Sequence, residues 1–174
     1  TGDTILDALT RAGRDVIGVG KISDIFGGRG LTQSLGVNES NTDGMEKTLK
    51  LLDEDFTGLA FVNLVDGDMI YGHRRDIPGY ARAMQEFDDW LTAFLPRMHA
   101  DDVLMVTADH GCDPGAKGTD HTREYVPFLA FGNHISPVNL GTYPTFAMIG
   151  ATIADMFHVS LTTAGESFLP RILK

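Results

Sequence analysis

The sequence predicts a doubly wound α/β fold, a mostly parallel sheet with helices on both faces, and three observations carry that expectation. Short apolar runs with branched members recur along the chain. Stretches of helical periodicity separate them. The segments rich in Gly, Asp and His fall at the carboxyl ends of the apolar runs, where an open α/β sheet builds its ligand site.

Taken in order, Ile5, Leu6, Leu9 and Ala12 recur at helical spacing, and Gly13 supplies a stop. Residues 15–20 read as a strand and 21–30 as the loop at its carboxyl end. The Gly-Val-Gly-Lys piece ending at Lys21 invites a phosphate-loop reading, but Asp15 stands where a Walker A pattern needs glycine. Lys21 remains a candidate contact for an anionic group, with a solvated surface lysine as the plain alternative. Residues 38–43 form a polar linker and helix cap ahead of Met45, Leu49 and Leu52. Residues 58–65 read as a second buried strand. Pro78 then opens a long helix whose stripe of Tyr80, Met84, Phe87, Leu91 and Phe94 or Leu95 reads as core. Residues 103–106 are a third apolar run, too short for a helix. One more short strand is expected over 126–132, with Pro127 favouring an early or edge position, and a helix over 145–157. The tail to Lys174 is expected to pack loosely through Leu169 and Ile172.

With 174 residues the chain is long enough for one domain with a sizeable core, and 43% hydrophobic and 22% charged residues are ordinary for a globular protein. A formal net charge of −10 argues against a nucleic-acid partner, which would call for a basic face. No apolar run approaches the ~18 residues of a membrane span. The single cysteine, Cys112, excludes an internal disulfide and fits a reducing compartment, so a cytoplasmic location is expected. The chain starts at Thr1 without an initiator Met and enters a helix almost at once, which reads as a fragment.

The chemistry concentrates at two strand ends. The second apolar run leads into Asp66-Gly-Asp68-Met-Ile-Tyr-Gly-His73, and the third into Ala108-Asp109-His110-Gly111 and a glycine-rich loop ending at His121. Each therefore pairs carboxylate with imidazole, a donor set that suits a divalent cation, manganese or zinc before magnesium or calcium. In a parallel sheet the two loops would emerge at the same edge and could share one site. Asp68, His73, Asp109, His110 and His121 are too many for one tetrahedral zinc with an open position. They are too few for two metals ~4 Å apart, which usually need about six ligands. Asp66 reads as a turn or supporting carboxylate. Arg74 and Arg75 could clamp a phosphate, but pairing with Asp76 and Asp88 is the favoured reading. Cys112 lies beside the site without an evident base, and His99, His134 and His158 lack such partners.

Three pieces together resemble phosphopentomutase of the alkaline phosphatase superfamily: Asp68-Met-Ile-Tyr-Gly-His73-Arg-Arg-Asp, Thr107-Ala-Asp109-His110-Gly-Cys-Asp-Pro, and Gly118-Thr-Asp-His121-Thr-Arg-Glu. Residues 20–26, with Lys21, are similar to the same family. The Asp-His-Gly element is shared across the superfamily; the other pieces are more specific. The resemblance implies two manganese ions, Asp68, His73 and His121 on one, Asp109 and His110 on the other with an upstream Asp. It also implies a phosphorylated Thr and a cap domain upstream, an N-terminal core segment absent here, and Lys21 near the substrate phosphate. All of residues 1–174 would then be the C-terminal portion of the core. The whole enzyme would interconvert ribose or deoxyribose 1- and 5-phosphates, and the fragment would be inactive. The alternatives are another superfamily enzyme, such as cofactor-independent phosphoglycerate mutase or a phosphodiesterase, and a non-catalytic metal-binding module.

Overall fold

In the computed structural model, which describes residues 2–174, β1 (Asp15–Val19) is the central strand of a parallel sheet ordered β2-β1-β3. Strand β2 (Gln33–Ser34) runs beside it through Ile17 and Gly18, and β3 (Gly58–Val62) matches it residue for residue from Asp15↔Gly58 to Val19↔Val62. The last four residues of β1 are buried, as an unbroken apolar run should be in a covered parallel strand. The chain divides into two compact units.

The first unit comprises Thr1–Val37, Glu54–Val62 and His134–Lys174. It contains this sheet and its flanking helices, a mixed α/β arrangement. Helix α1 (Ile5–Arg11) starts in a capping box: the Thr4 hydroxyl accepts from the Asp7 N–H while Thr4 N–H donates to the Asp7 carboxylate at 2.8 Å. Leu6 and Leu9 of α1 and Val16 of β1 have no exposed surface and form the core, with Ile5, Leu59, Ile153 and Phe157 packed on it. Gly30, at φ +68°, lets the loop after α2 (Ile22–Ile25) lie against α1, where an added Cβ would stand 2.6 Å from the Asp7 nitrogen.

The tail departs from expectation. Phe168 is fully buried and Ile172 of α6 (Leu169–Ile172) nearly so. The Thr152 hydroxyl of α5 (Ala147–Met156) accepts from the Phe168 N–H at 3.0 Å and donates to the Met148 carbonyl. A buried hydroxyl satisfied on both sides pins the tail, which is core and not loose packing.

The second unit comprises Asn38–Asp53 and Asn63–Asn133. Its helices are α3 (Asn41–Leu51), capped by Ser40, and α4 (Ile77–Phe94), where Asp76 accepts from the Gly79 N–H and Pro78 occupies the first turn. The buried face of α4 is Gly79, Ala83 and Phe94, whereas Met84, expected in the core stripe, is exposed. Tyr80, Phe87 and Leu91 of the expected stripe are half-buried, and small residues beside it admit a close neighbour: an added Cβ at Gly79 would overlap the Tyr71 ring. Phe87, Trp90 and Phe94 stack along the helix at 5.6 and 4.5 Å.

Strand β4 (Leu104–Thr107) differs from the parallel placement expected for it. It pairs antiparallel with β5 (Phe128–Phe131), Leu104 opposite Phe131 and Thr107 opposite Phe128. None of its residues is fully buried, in keeping with a two-stranded pair covered on one side. Pro127 falls just before β5, where its missing N–H costs no ladder bond. Among the described residues no helix is long and apolar enough to cross a membrane.

Candidate metal centre

Asp68 and His73 are placed by a π-helical turn, Gly67–Gly72, in which the His73 N–H donates to the Asp68 carbonyl at 3.0 Å. That five-residue closure leaves His73 Nε2 3.3 Å from Asp68 Oδ1. The turn is anchored from behind by a buried reciprocal pair: Asn41 N–H donates to Asp66 Oδ2 at 2.7 Å, and Asp66 N–H to Asn41 Oδ1 at 2.9 Å. Asp66 thus ties the start of α3 to the ligand turn, the supporting role its position suggests. Gly72 is buried against the second loop, since an added Cβ would overlap Cys112 Sγ.

The second loop leaves β4 and folds back on itself. Gly111 and Thr122 form an isolated antiparallel bridge, with Thr122 N–H donating to the Gly111 carbonyl at 3.0 Å, and the Thr122 hydroxyl accepts from Asp113 N–H at 2.7 Å. Closing the loop there sets His110 and His121 side by side, their rings stacked with centroids 3.7 Å apart. His121 Nε2 lies 3.3 Å from Asp68 Oδ1, the same oxygen that His73 approaches, and the His73 and His121 rings are 4.9 Å apart.

The donor set fits a cation. Two atoms sharing an ion at ~2.1 Å stand roughly 3.0–3.4 Å apart at octahedral or tetrahedral angles, the spacing of Asp68 Oδ1 from both imidazoles. Ligand atoms of Asp68, His110 and His121 all lie within 4.8 Å of one another. Asp109 stands at the open side, its side chain 74% exposed and Oδ1 3.6 Å from His110 Nε2.

The ring nitrogens are oriented for the role. His73 Nδ1 meets the Thr119 carbonyl at 2.5 Å and His110 Nδ1 the Gly111 carbonyl at 3.1 Å. A carbonyl only accepts, so each Nδ1 carries the hydrogen, and Nε2 is the ring atom left for a ligand role. The local field is negative. Burial, then the hydrogen bond to Asp68, push the Cys112 thiol up. Burial first, then the neighbouring Cys112 and Asp68, push Tyr80 up. A thiol held protonated is the opposite of an activated nucleophile, which leaves Cys112 as packing against Gly72.

The five ligand candidates Asp68, His73, Asp109, His110 and His121 thus come together in the second unit, but the grouping differs in one respect from the division expected. His110 stands with Asp68 and His121 as well as beside Asp109. Lys21 lies in the first unit, at the end of β1 and the start of α2. The expected pairing of Arg75 with an acidic side chain gives way to backbone: it donates to the carbonyls of Gly118, Asp113 and Asp120 at 2.5, 2.6 and 2.9 Å. Asn41 was another contributor without a signal; a polar residue at a helix start reads only as a cap.

Comparison with known proteins follows the same lines. The family model described as Metalloenzyme superfamily matches residues 11–161. The phosphopentomutase of Lachnoclostridium phytofermentans is 51% identical over 173 residues, which cover 99% of this chain and 44% of that protein. That of Symbiobacterium thermophilum is 54% identical over 171 residues, 98% of this chain and 43% of the relative. Among solved structures, the PH0037 protein from Pyrococcus horikoshii shares the fold, with a TM-score of 0.52 at 20% identity over 71% of this chain and 39% of that one. The chain spans less than half the length of the curated relatives it matches.

Proposed function

Because the chain belongs to the metalloenzyme superfamily, we propose that it acts as the metal-holding C-terminal core portion of a phosphopentomutase. The whole enzyme, a cytoplasmic one, interconverts the 1- and 5-phosphates of ribose or deoxyribose at a centre holding two manganese ions. The observation that carries the reading is Asp68 Oδ1 standing 3.3 Å from both His73 Nε2 and His121 Nε2, in a chain half identical to phosphopentomutases.

Asp68, His73 and His121 hold one cation. Asp109 and His110 would hold the second together with an upstream Asp, and His110 stands beside both sets of residues. When bound, the two cations neutralise the phosphate oxygens and stabilise the charge of the phosphoryl group in transfer. What these residues do is fix the donors. The Nδ1 hydrogen bonds of His73 and His110 orient each ring and leave Nε2 as the ligand atom, and the Asn41–Asp66 pair holds the turn that bears Asp68. The phosphorylated Thr that carries the phosphoryl group lies upstream of this portion, and Lys21 contacts the substrate phosphate.

The test is an assay of the complete protein on ribose 1-phosphate with manganese. Turnover is expected, and its loss in Asp109→Ala and His121→Ala with the fold retained. The 174-residue chain alone is expected to bind one manganese weakly and to turn over nothing. Near-normal activity of either variant, conversion of phosphoglycerate in place of pentose phosphate, or two tight sites on the 174-residue chain would each overturn the reading.

A further inference from the structure

Three consecutive carbonyls of the second loop face one short segment. Gly118 O accepts from Arg75 Nε at 2.5 Å, Thr119 O from His73 Nδ1 at 2.5 Å, and Asp120 O from Arg75 Nη2 at 2.9 Å. Arg75 Nη1 reaches Asp113 O at 2.6 Å, at the other end of the same loop. Successive carbonyls of an extended chain point in opposite directions, so their convergence needs a reversal in the backbone. Gly118 supplies it with φ +87°, although no atom lies within 4 Å of where its Cβ would be. Glycine is required there for conformation and not for room. Arg75 itself sits at φ +56°, one of two non-glycine residues in the left-handed region among those described. Such a conformation persists where surrounding contacts over-determine it, and ligand clamps are a common place to find it.

From this geometry we propose that Arg75 is a positioning residue for the cation site, a latch that sets divalent-metal affinity by holding the loop that delivers His121. The inference rests on the metal-site reading above. His73 and Arg75, two residues apart, grip the loop at Gly118, Thr119 and Asp120, and the next residue is His121. Placing His121 Nε2 against Asp68 therefore depends on the same contacts that orient His73. Only a planar guanidinium can serve here, because its fork meets three separated oxygens at once while an ammonium on a flexible stem is a single point charge.

The experiment is manganese titration of the 174-residue chain, following the free ion by its electron paramagnetic resonance, for wild type, Arg75→Ala, Arg75→Lys and Gly118→Ala. Arg75→Ala is expected to weaken binding about 10- to 100-fold, the usual cost of losing a group that orients a metal ligand. Arg75→Lys should recover little of it, and Gly118→Ala should fall in the same direction. Millimolar guanidinium should restore affinity to Arg75→Ala and leave wild type unchanged. The metal-free melting temperature of the Arg75 variants, which a merely structural strut would lower, should stay the same, whereas Gly118→Ala, strained at φ +87°, should lose some stability. If Arg75→Ala fails to fold, the Lys and Gly118 variants decide. Wild-type affinity in Arg75→Lys, or no recovery with guanidinium, overturns the latch while leaving the metal site standing. No manganese binding by wild type overturns both.

Discussion

Gly72→Ala places one methyl group where the two ligand loops touch. The added Cβ would overlap Cys112 Sγ and stand 2.9 Å from the Gly67 carbonyl oxygen, while Cys112 Cβ would be at an ordinary 3.7 Å. Relief needs the loops to part by roughly 1 Å or more, since non-bonded carbon and sulfur settle near ~3.5–4 Å. The Asp68–His121 separation of 3.3 Å would then open to about 4.3 Å. Two bonds of ~2.1 Å span at most ~4.2 Å even in line, so a shared cation loses one ligand. Overpacking costs about 1–3 kcal/mol, and alanine in a helical turn returns up to ~1, leaving a net destabilisation of at most ~2 kcal/mol when that return is full. Manganese affinity should fall at least about tenfold. Cys112→Ala alone should be mild, and the double variant should bind better than Gly72→Ala, because removing the sulfur leaves only the Gly67 contact. Calorimetric titration and urea unfolding of all four proteins complete the cycle. If Gly72→Ala matches wild type, or the double variant is no better than the single, the loops are not packed as described.

Two further outcomes are expected. Asn41→Ala leaves the buried Asp66 N–H without its acceptor and should cost about 1–3 kcal/mol, seen as a lower urea midpoint with unchanged slope; an unchanged midpoint would refute the anchor. At α1, the Thr4 backbone N–H first and its hydroxyl second hold the Asp7 carboxyl below its ordinary value. A lowered folded value contributes stability that is present above the unfolded pKa of ~3.9 and is lost as pH falls through the folded value. Thr4→Ala keeps the backbone donor and loses the hydroxyl. It should therefore cost about 1 kcal/mol at neutral pH and shrink the acid-dependent part; an unaltered acid limb in pH-resolved melting would contradict this.

The turn and loop of the candidate site stand out in the sequence because their residue types violate their surroundings: carboxylate and imidazole directly after apolar runs have few structural uses. Strand identity was legible on the same basis, but strand partnership was not. The run 103–106 carries no mark of direction or neighbour, so its antiparallel pairing with β5 had no sequence signal. Arg75 escaped for a different reason, as its acceptors are main-chain carbonyls, which every residue possesses. Phe168 is buried with its N–H held by the hydroxyl of Thr152, sixteen residues earlier, a contact beyond the reach of any local pattern. Met84 was misplaced because periodicity locates a stripe to within a residue or so, and the buried positions beside it are Gly79 and Ala83.

The π-helical turn has a consequence for how this region can vary. Asp68 and His73 meet because the backbone closes across five residues, where an ordinary helix closes across four. The site is thus tuned to a count as well as to chemistry. Substituting Met69 or Ile70 alters side chains and leaves the count intact. Removing either would let the turn relax to a common helix, in which residues four apart still share a face, so Asp68 and the imidazole would remain neighbours while the wider course of the π turn would be lost. Exchange of residues in this stretch leaves the path of the chain alone, and a change in their number redraws it.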